Sequence, residues 1–318
     1  MTKRKNVRRL KHQLYRTPVG EPPAMAPDEL LVEFFSDQEL RAWKSRSSEY
    51  QQYHYLWYFE LEAQRAAVQP QLLDSLRGIS AISVDLAGWG RATQYCYSHM
   101  PLSCLGSLKW VGGRFNYGLD IDSSRFTPFP ALYLAEDLET GLREIQGLTR
   151  ENTRAVLTPG ELNLCAKNGI AWAAVKGSVH NIFDLTAVSN LKPFTEVIAS
   201  FTFSKAVRDA EKRMQLQPLM VVTEPKMLHQ TFLAENWRQY PVAWNTPANP
   251  QLLGHLLSLA GFEGVLFSST RTNKMNLALF TRQFKNSSST VEVIAPPPTS
   301  SCTALSAHTF LDLESQKP

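Results

Sequence analysis

Four short apolar segments, ALYLA (131–135), GVLFS (264–268), NLALF (276–280) and VEVIA (291–295), constrain the fold of this chain more than any other feature. Each is strand-length and bounded by turn residues, so each reads as a β-strand. From about Ser103 such segments alternate with turns and brief helices, which predicts an α+β domain with a mixed β core. The region before it has another texture. DELLVEFFSDQELRAWKSR (28–46) has apolar residues at helical intervals, with Asp28 placed to cap it. YQQYHYLWYFELEAQRAAV (50–68) reads as a second helix that breaks at Pro70, with Tyr53, Leu56, Trp57 and Leu61 as core. The expected organisation is therefore a basic, Pro-rich arm at 1–27, a mainly helical accessory region at 28–103, a principal domain at 104–296, and a disordered low-complexity tail at 297–318.

Charge narrows the class of partner. The chain of 318 residues carries 33 Lys and Arg against 29 Asp and Glu, a formal charge of +4. Seven of those cations, Lys3, Arg4, Lys5, Arg8, Arg9, Lys11 and Arg16, precede the first acidic residue, so the remainder is slightly acidic. A nucleic-acid surface is thus only weakly suggested, and only by the arm. No apolar run is long enough to span a bilayer and no secretory leader follows the basic start, so a soluble cytoplasmic protein is expected. Cys96, Cys104, Cys165 and Cys302 are scattered, with no paired spacing, and read as reduced thiols. The histidines form no ligand pattern, so no metal site is expected.

The chemistry concentrates in GGRFNYGLDIDSSRFTPFPALYLAEDLETGLRE (112–144). Gly112 and Gly113 allow close approach of a ligand to the backbone, and Arg114 adds a permanently charged fork suited to phosphate. Alternation along the strand places Ala131, Tyr133 and Ala135 on one face and Leu132 and Leu134 on the other, which leaves open space beside the tyrosine ring for a planar ligand. Asp137 can cap the following helix, whose apolar stripe is Leu138, Leu142 and Ile145. Glu144 lies at the edge of that stripe, above Gly141, as a candidate for stabilising positive charge; Glu139 and Arg143 read as solvated charges. Late in the chain, Ser268 and Ser269 end a strand ahead of a polar loop containing Arg271, and Asn276 opens the next strand. Neither serine sits in a GxSxG elbow, so a nucleophilic serine is not indicated.

GGRFN (112–116), LYLA (132–135), LRE (142–144) and SSTR (268–271) followed by NLALF (276–280) together resemble the RES domain family, whose members are typically toxins of toxin-antitoxin systems. The resemblance covers about residues 104–296. It implies an ADP-ribosyltransferase-like fold and NAD consumed as a substrate, with no separate cofactor, by hydrolysis or phosphorolysis of the nicotinamide-ribose bond. On that resemblance Arg114 holds the pyrophosphate, Tyr133 stacks on or positions nicotinamide, Glu144 stabilises the ribosyl cation or orients the acceptor, and Ser269 lines the nicotinamide pocket. Gly112, Gly113, Asn116, Ser268 and Asn276 complete the expected NAD-binding set. Phe115 stands where the family commonly has tryptophan, and Ser268 replaces a proline, so Ser268 and Ser269 can exchange roles. The resemblance also implies a protein antitoxin or immunity partner, and is compatible with a homodimer. A dehydrogenase is not indicated, because GWGRAT (88–93) lacks the last glycine of a dinucleotide fingerprint. Two rival readings remain: transfer of ADP-ribose to a macromolecule, and a catalytically silent module that binds protein or nucleic acid through the arm and the aromatic helices.

Overall fold

The structure, a computed structural model, describes residues 37–147, 169–272 and 274–315. The expected basic arm, the Asp28 cap and Cys165 lie outside the described residues. Contacts divide the chain into two units, Met1–Leu56 and Trp57–Pro318. In the first, the described residues form the opening part of one helix, α1 (Asp37–Ala67), whose described side chains from Arg41 to Gln52 are exposed. Where the sequence suggested a boundary between two helices near residues 46–50, the helix is continuous. Leu56, expected in the core, is 37% exposed.

The second unit begins with the last turns of α1, in which Trp57 and Leu61 pack against the main apolar cluster. Pro70 does not simply end that helix; it stands in the first turn of α2 (Gln69–Arg77), where its missing N–H has no helical partner to lose. Then follow β1 (Ile82–Asp85), β2 (Gly90–Gln94), β3 (Leu132–Ala135), α3 (Leu138–Gln146) and β4 (Ile170–Asp184). Five helices come next: α4 (Lys192–Ile198), α5 (Lys205–Met214), α6 (Pro225–Phe232), α7 (Gln239–Trp244) and α8 (Asn249–Ala260). The chain returns to the sheet with β5 (Gly264–Ser268), β6 (Met275–Leu279), β7 (Thr290–Val293) and β8 (Ala304–Leu305), and α9 (Asp312–Ser315) closes the described part.

The fold is α+β. Among the described residues eight strands run in the order β2-β3-β6-β5-β4-β7-β8, with β1 paired to β4. β2 also pairs with β4, from Gly90 opposite Ala174 to Gln94 opposite Ile170, so β2, β3, β6, β5 and β4 form a closed circuit of pairings. The long β4 makes this possible by serving different partners along its length: β2 at its start, β7 and β1 in the middle, and β5, in parallel, at its end. Every other pairing is antiparallel. Gly177 permits β4 to pass close to β7, with φ 122° and its α-carbon against the Thr290 backbone.

The two-residue strand period sorts side chains into two apolar layers. Leu132, Leu134, Leu277 and Leu279 enter a cluster with Val175, Val291 and Leu305, whereas Ala131, Ala278 and Phe280 face a cluster that includes Phe115, Phe183, Leu253 and Phe262. Tyr133 lies on that second face, so the alternation read from ALYLA holds.

Two expected boundaries change. The sheet begins at β1, before residue 104, because β1 and β2 supply ladder partners for β4. The expected disordered tail is, through residue 315, part of the fold. β8 pairs with β7, Leu305 and Leu313 are fully buried, and the Thr281 hydroxyl donates to Glu314 Oε1 at 2.6 Å. A few apolar anchors set in a Ser, Thr and Pro background suffice there because a ladder and a ready apolar layer receive them.

Candidate functional site

The glycine loop is built by two buried amides. Asn116 and Gln251 are both fully buried. Gln251 Nε2 lies 2.8, 3.0 and 2.9 Å from the carbonyl oxygens of Val111, Gly113 and Asn116, while its Oε1 accepts from Ala248 N at the start of α8. Asn116 Nδ2 donates to Ser107 O and Phe129 O, at 2.8 and 3.0 Å. Its Oδ1 accepts from Gly113 N and from the Tyr133 hydroxyl, at 3.1 and 2.9 Å. Apart from Val111 O, which also accepts from Gly118 N, these bonds satisfy backbone groups that the turn itself leaves unpaired, which fixes the loop against β3 and α8. Gly112 has φ 91°, and a side chain on Gly113 would strike the Tyr133 phenol. Phe115 is wholly buried, its ring edge-on to Phe267 with centroids 4.8 Å apart. Asn116→Leu leaves several buried backbone groups without partners and the tyrosine O–H without an acceptor; it is expected to destabilise the fold by about 2–4 kcal/mol, read by thermal or urea denaturation.

On β3, the Tyr133 hydroxyl accepts from Phe115 N at 2.9 Å as it donates to Asn116. Burial raises its pKa and the Phe115 hydrogen bond opposes that rise; the group remains a neutral donor at neutral pH. Both functions of the hydroxyl are therefore used within the loop, and it is the ring that remains for a ligand.

The third component joins α3 to the β5–β6 connection. Asp137 caps α3 by accepting from Thr140 N at 2.8 Å, and the Thr140 and Thr272 hydroxyls lie 2.9 Å apart. This bracket brings Glu144 to the loop after β5. Ser269 Oγ donates to Glu144 Oε1 at 2.6 Å, and Asn276 Nδ2 donates to the same oxygen at 3.0 Å. Ser269 is itself held, since its Oγ accepts from Arg271 N and Thr272 N at 3.0 and 3.2 Å. Ser268 points elsewhere, with its hydroxyl 3.9 Å from Met275 Sδ. Gly141 leaves room for Trp172, whose ring would meet any side chain placed there.

These components open onto a cavity of about 580 Å³, lined by Gly112, Gly113, Arg114, Tyr133, Glu144 and Asn276 among others. Five basic side chains, Arg91, Lys109, Arg114, Arg238 and Arg271, line it against two acidic ones, Glu144 and Glu235. The cavity thus favours an anionic ligand while keeping one carboxylate anchored inside. Arg114 donates from one guanidinium nitrogen to the carbonyls of Phe232 and Ala234, at 3.1 and 3.0 Å, which ties the glycine loop to the end of α6. Burial lowers its pKa to about 10 against the opposing pull of Glu144, so it is charged at neutral pH. Arg114 and Arg238 both lie against the Trp237 ring, 5.7 and 5.1 Å from its centroid, and Arg271 pairs with Glu235 at 3.6 Å.

The structure brings Gly112, Gly113, Arg114, Tyr133, Glu144 and Asn276 to one cavity, with Ser269 directly behind Glu144. Asn116 does not line it; this residue organises the loop from within. Neither Ser268 nor Ser269, expected on the pocket wall, lines it; what separates the two adjacent serines is that Ser269 bonds Glu144 from behind whereas Ser268 faces Met275. Arg143, expected in solvent, is 1% exposed and ion-paired with Glu139 at 2.9 Å, whereas Ile145, expected on the apolar stripe, is 41% exposed at the cavity. Lys109, Trp110, Trp237 and Arg238 were not anticipated. Their only local signal is the density of Trp and basic residues in KWVGGR and NWR. Among the described residues no group of three or more His, Cys, Asp or Glu could hold a metal ion, and no helix is long and apolar enough to cross a membrane.

No protein-family model and no curated protein matches the chain. Among solved structures it matches the crystal structure of the M. tuberculosis MbcT-MbcA toxin-antitoxin complex, with 15% identity and a TM-score of 0.39 over 77% of this chain and 98% of that chain.

Proposed function

We propose that the protein binds NAD in this cavity and cleaves its nicotinamide-ribose bond, acting as a toxin that depletes cellular NAD. The observation that carries the reading is the fixed carboxylate: Glu144 Oε1 takes hydrogen bonds from Ser269 and Asn276, within a cavity whose other charged walls are mainly basic. The four motifs that resemble the RES domain family supply the residues of this arrangement.

The chemistry follows from the substrate. As the bond between the nicotinamide nitrogen and the ribose C1 breaks, its electron pair leaves with nicotinamide and positive charge passes to the sugar. A carboxylate held close to that carbon stabilises the developing oxocarbenium ion. Ser269 and Asn276 occupy one oxygen of Glu144, which leaves Oε2 for the sugar. Arg114 meets the pyrophosphate charge, and the Tyr133 ring supports the departing nicotinamide. Water or inorganic phosphate then bonds to C1, yielding ADP-ribose or its phosphate ester with release of a proton. A protein antitoxin that occupies the cavity would restrain the activity.

Chromatography of NAD incubated with purified protein tests this reading. Nicotinamide is expected in equal amount to ADP-ribose, or to its phosphate ester when phosphate is supplied; intact NAD under both conditions refutes it. Labelling of a macromolecule from NAD tagged on adenine would instead indicate ADP-ribosyl transfer. The serine assignment gives a further prediction. Ser269→Ala should lower kcat by about 10-fold, the cost of one hydrogen bond to a charged group, while Ser268→Ala stays near wild type. Parallel nicotinamide-release assays on the two variants check it, and equal losses would contradict the separation.

A further inference from the structure

Trp110 has a backbone conformation and an exposure that its packing does not explain. Its φ is 58°, in the left-handed region that is costly for a bulky side chain, and such strain concentrates where a function requires it. The surrounding backbone holds it there: Gly112 N donates to Lys109 O, Gly118 N to Val111 O, and Asp120 N to Trp110 O, at 3.1, 3.2 and 2.8 Å. Trp110 is 55% exposed and lines the cavity. Among the described residues no ring or cation stacks on it, whereas Trp237 in the same cavity already has Arg114 and Arg238 against its ring. Ile145 is the other large apolar side chain that both lines the cavity and is well exposed.

The order of residues along the loop defines what this indole would face. Between Trp110 and Arg114, Val111 is buried and Gly112 and Gly113 line the cavity without side chains. A flat aromatic platform, a bare strip of backbone and a guanidinium thus follow one another along the loop. That series matches a base, its ribose and its phosphates. The geometry points to Trp110 as the stacking platform for the adenine base of a dinucleotide, a subsite that rests on the NAD-cleaving reading above and gives it a distal specificity element. Stacking on tryptophan tolerates any purine, so the subsite takes purine nucleotides as a class.

Trp110→Asn is the appropriate variant, because asparagine accepts positive φ and removes the indole without adding strain. AMP is titrated into wild type and variant by calorimetry, kcat/KM is measured on NAD and on nicotinamide mononucleotide, and Tm is recorded for both proteins. Wild type is expected to bind AMP, with affinity about 10- to 100-fold weaker in the variant. The loss of kcat/KM on NAD should exceed the loss on the mononucleotide by about tenfold or more, with Tm unchanged or raised. AMP binding that is absent in wild type or equal in the two proteins overturns the subsite. So do equal losses on the two substrates, or a fall in Tm that marks Trp110 as purely structural. Nicotinamide release with no effect of Trp110→Asn on AMP binding refutes the subsite and leaves the cleavage reading intact; AMP binding through Trp110 without nicotinamide release does the reverse.

Discussion

Glu144→Gln is expected to lower kcat/KM for nicotinamide release by about 10²- to 10³-fold while leaving the fold intact, the usual cost of removing one preorganised charge-stabilising group. The substitution keeps the shape of the side chain and an oxygen that can still accept from Ser269 and Asn276, the two partners of the native carboxylate. What it removes is the negative charge opposite the sugar. Because that charge matters most when the bond is breaking, the loss should fall on kcat more than on KM. Nicotinamide release across a range of NAD concentrations, with a thermal denaturation curve for each protein, separates these effects. A variant with wild-type kcat would remove Glu144 from the chemistry.

Arg114→Ala should cost about 10²- to 10³-fold in kcat/KM, the range for truncating a partly buried charge whose partner is then left unpaired. Unlike the Glu144 substitution, it should also reduce stability. The guanidinium bonds the carbonyls of Phe232 and Ala234, so its loss detaches the end of α6 from the glycine loop and uncovers the Trp237 ring. Arg114→Lys distinguishes the two roles. Lysine retains a charge for the phosphates but lacks the planar fork that can meet two carbonyls and an anion together. It should recover part of the NAD affinity and little of the lost Tm. Equal NAD binding by wild type, Arg114→Lys and Arg114→Ala would exclude a phosphate role.

Local physics made much of the site legible in the sequence. The Asp137 cap and the alternation along β3 each depend on neighbours within a few residues, so residue type alone specifies them. The Glu144–Ser269 hydrogen bond spans 125 positions, and only the combined motifs pointed to it. The basic wall formed by Lys109, Arg238 and Arg271 was not legible, because residues far apart in the chain acquire a shared role only around the cavity. Asn116 and Gln251 illustrate the same limit from inside the fold: polar side chains that look like ligand-binding or surface residues are consumed by the backbone of one loop. β4 escaped notice for another reason. It changes partner along its length, and Lys176, Gly177, His180 and Asn181 interrupt any simple polar-apolar alternation. The segment after residue 295 looked like low complexity because its anchors are so few.

The most direct test of the central claim is the amount of nicotinamide released from NAD by purified wild-type protein, compared with the Arg114→Ala/Glu144→Ala double variant at equal concentration. The account predicts continuous, multiple-turnover release by wild type and none above background by the double variant. Intact NAD with wild type, or equal release by both proteins, would contradict it.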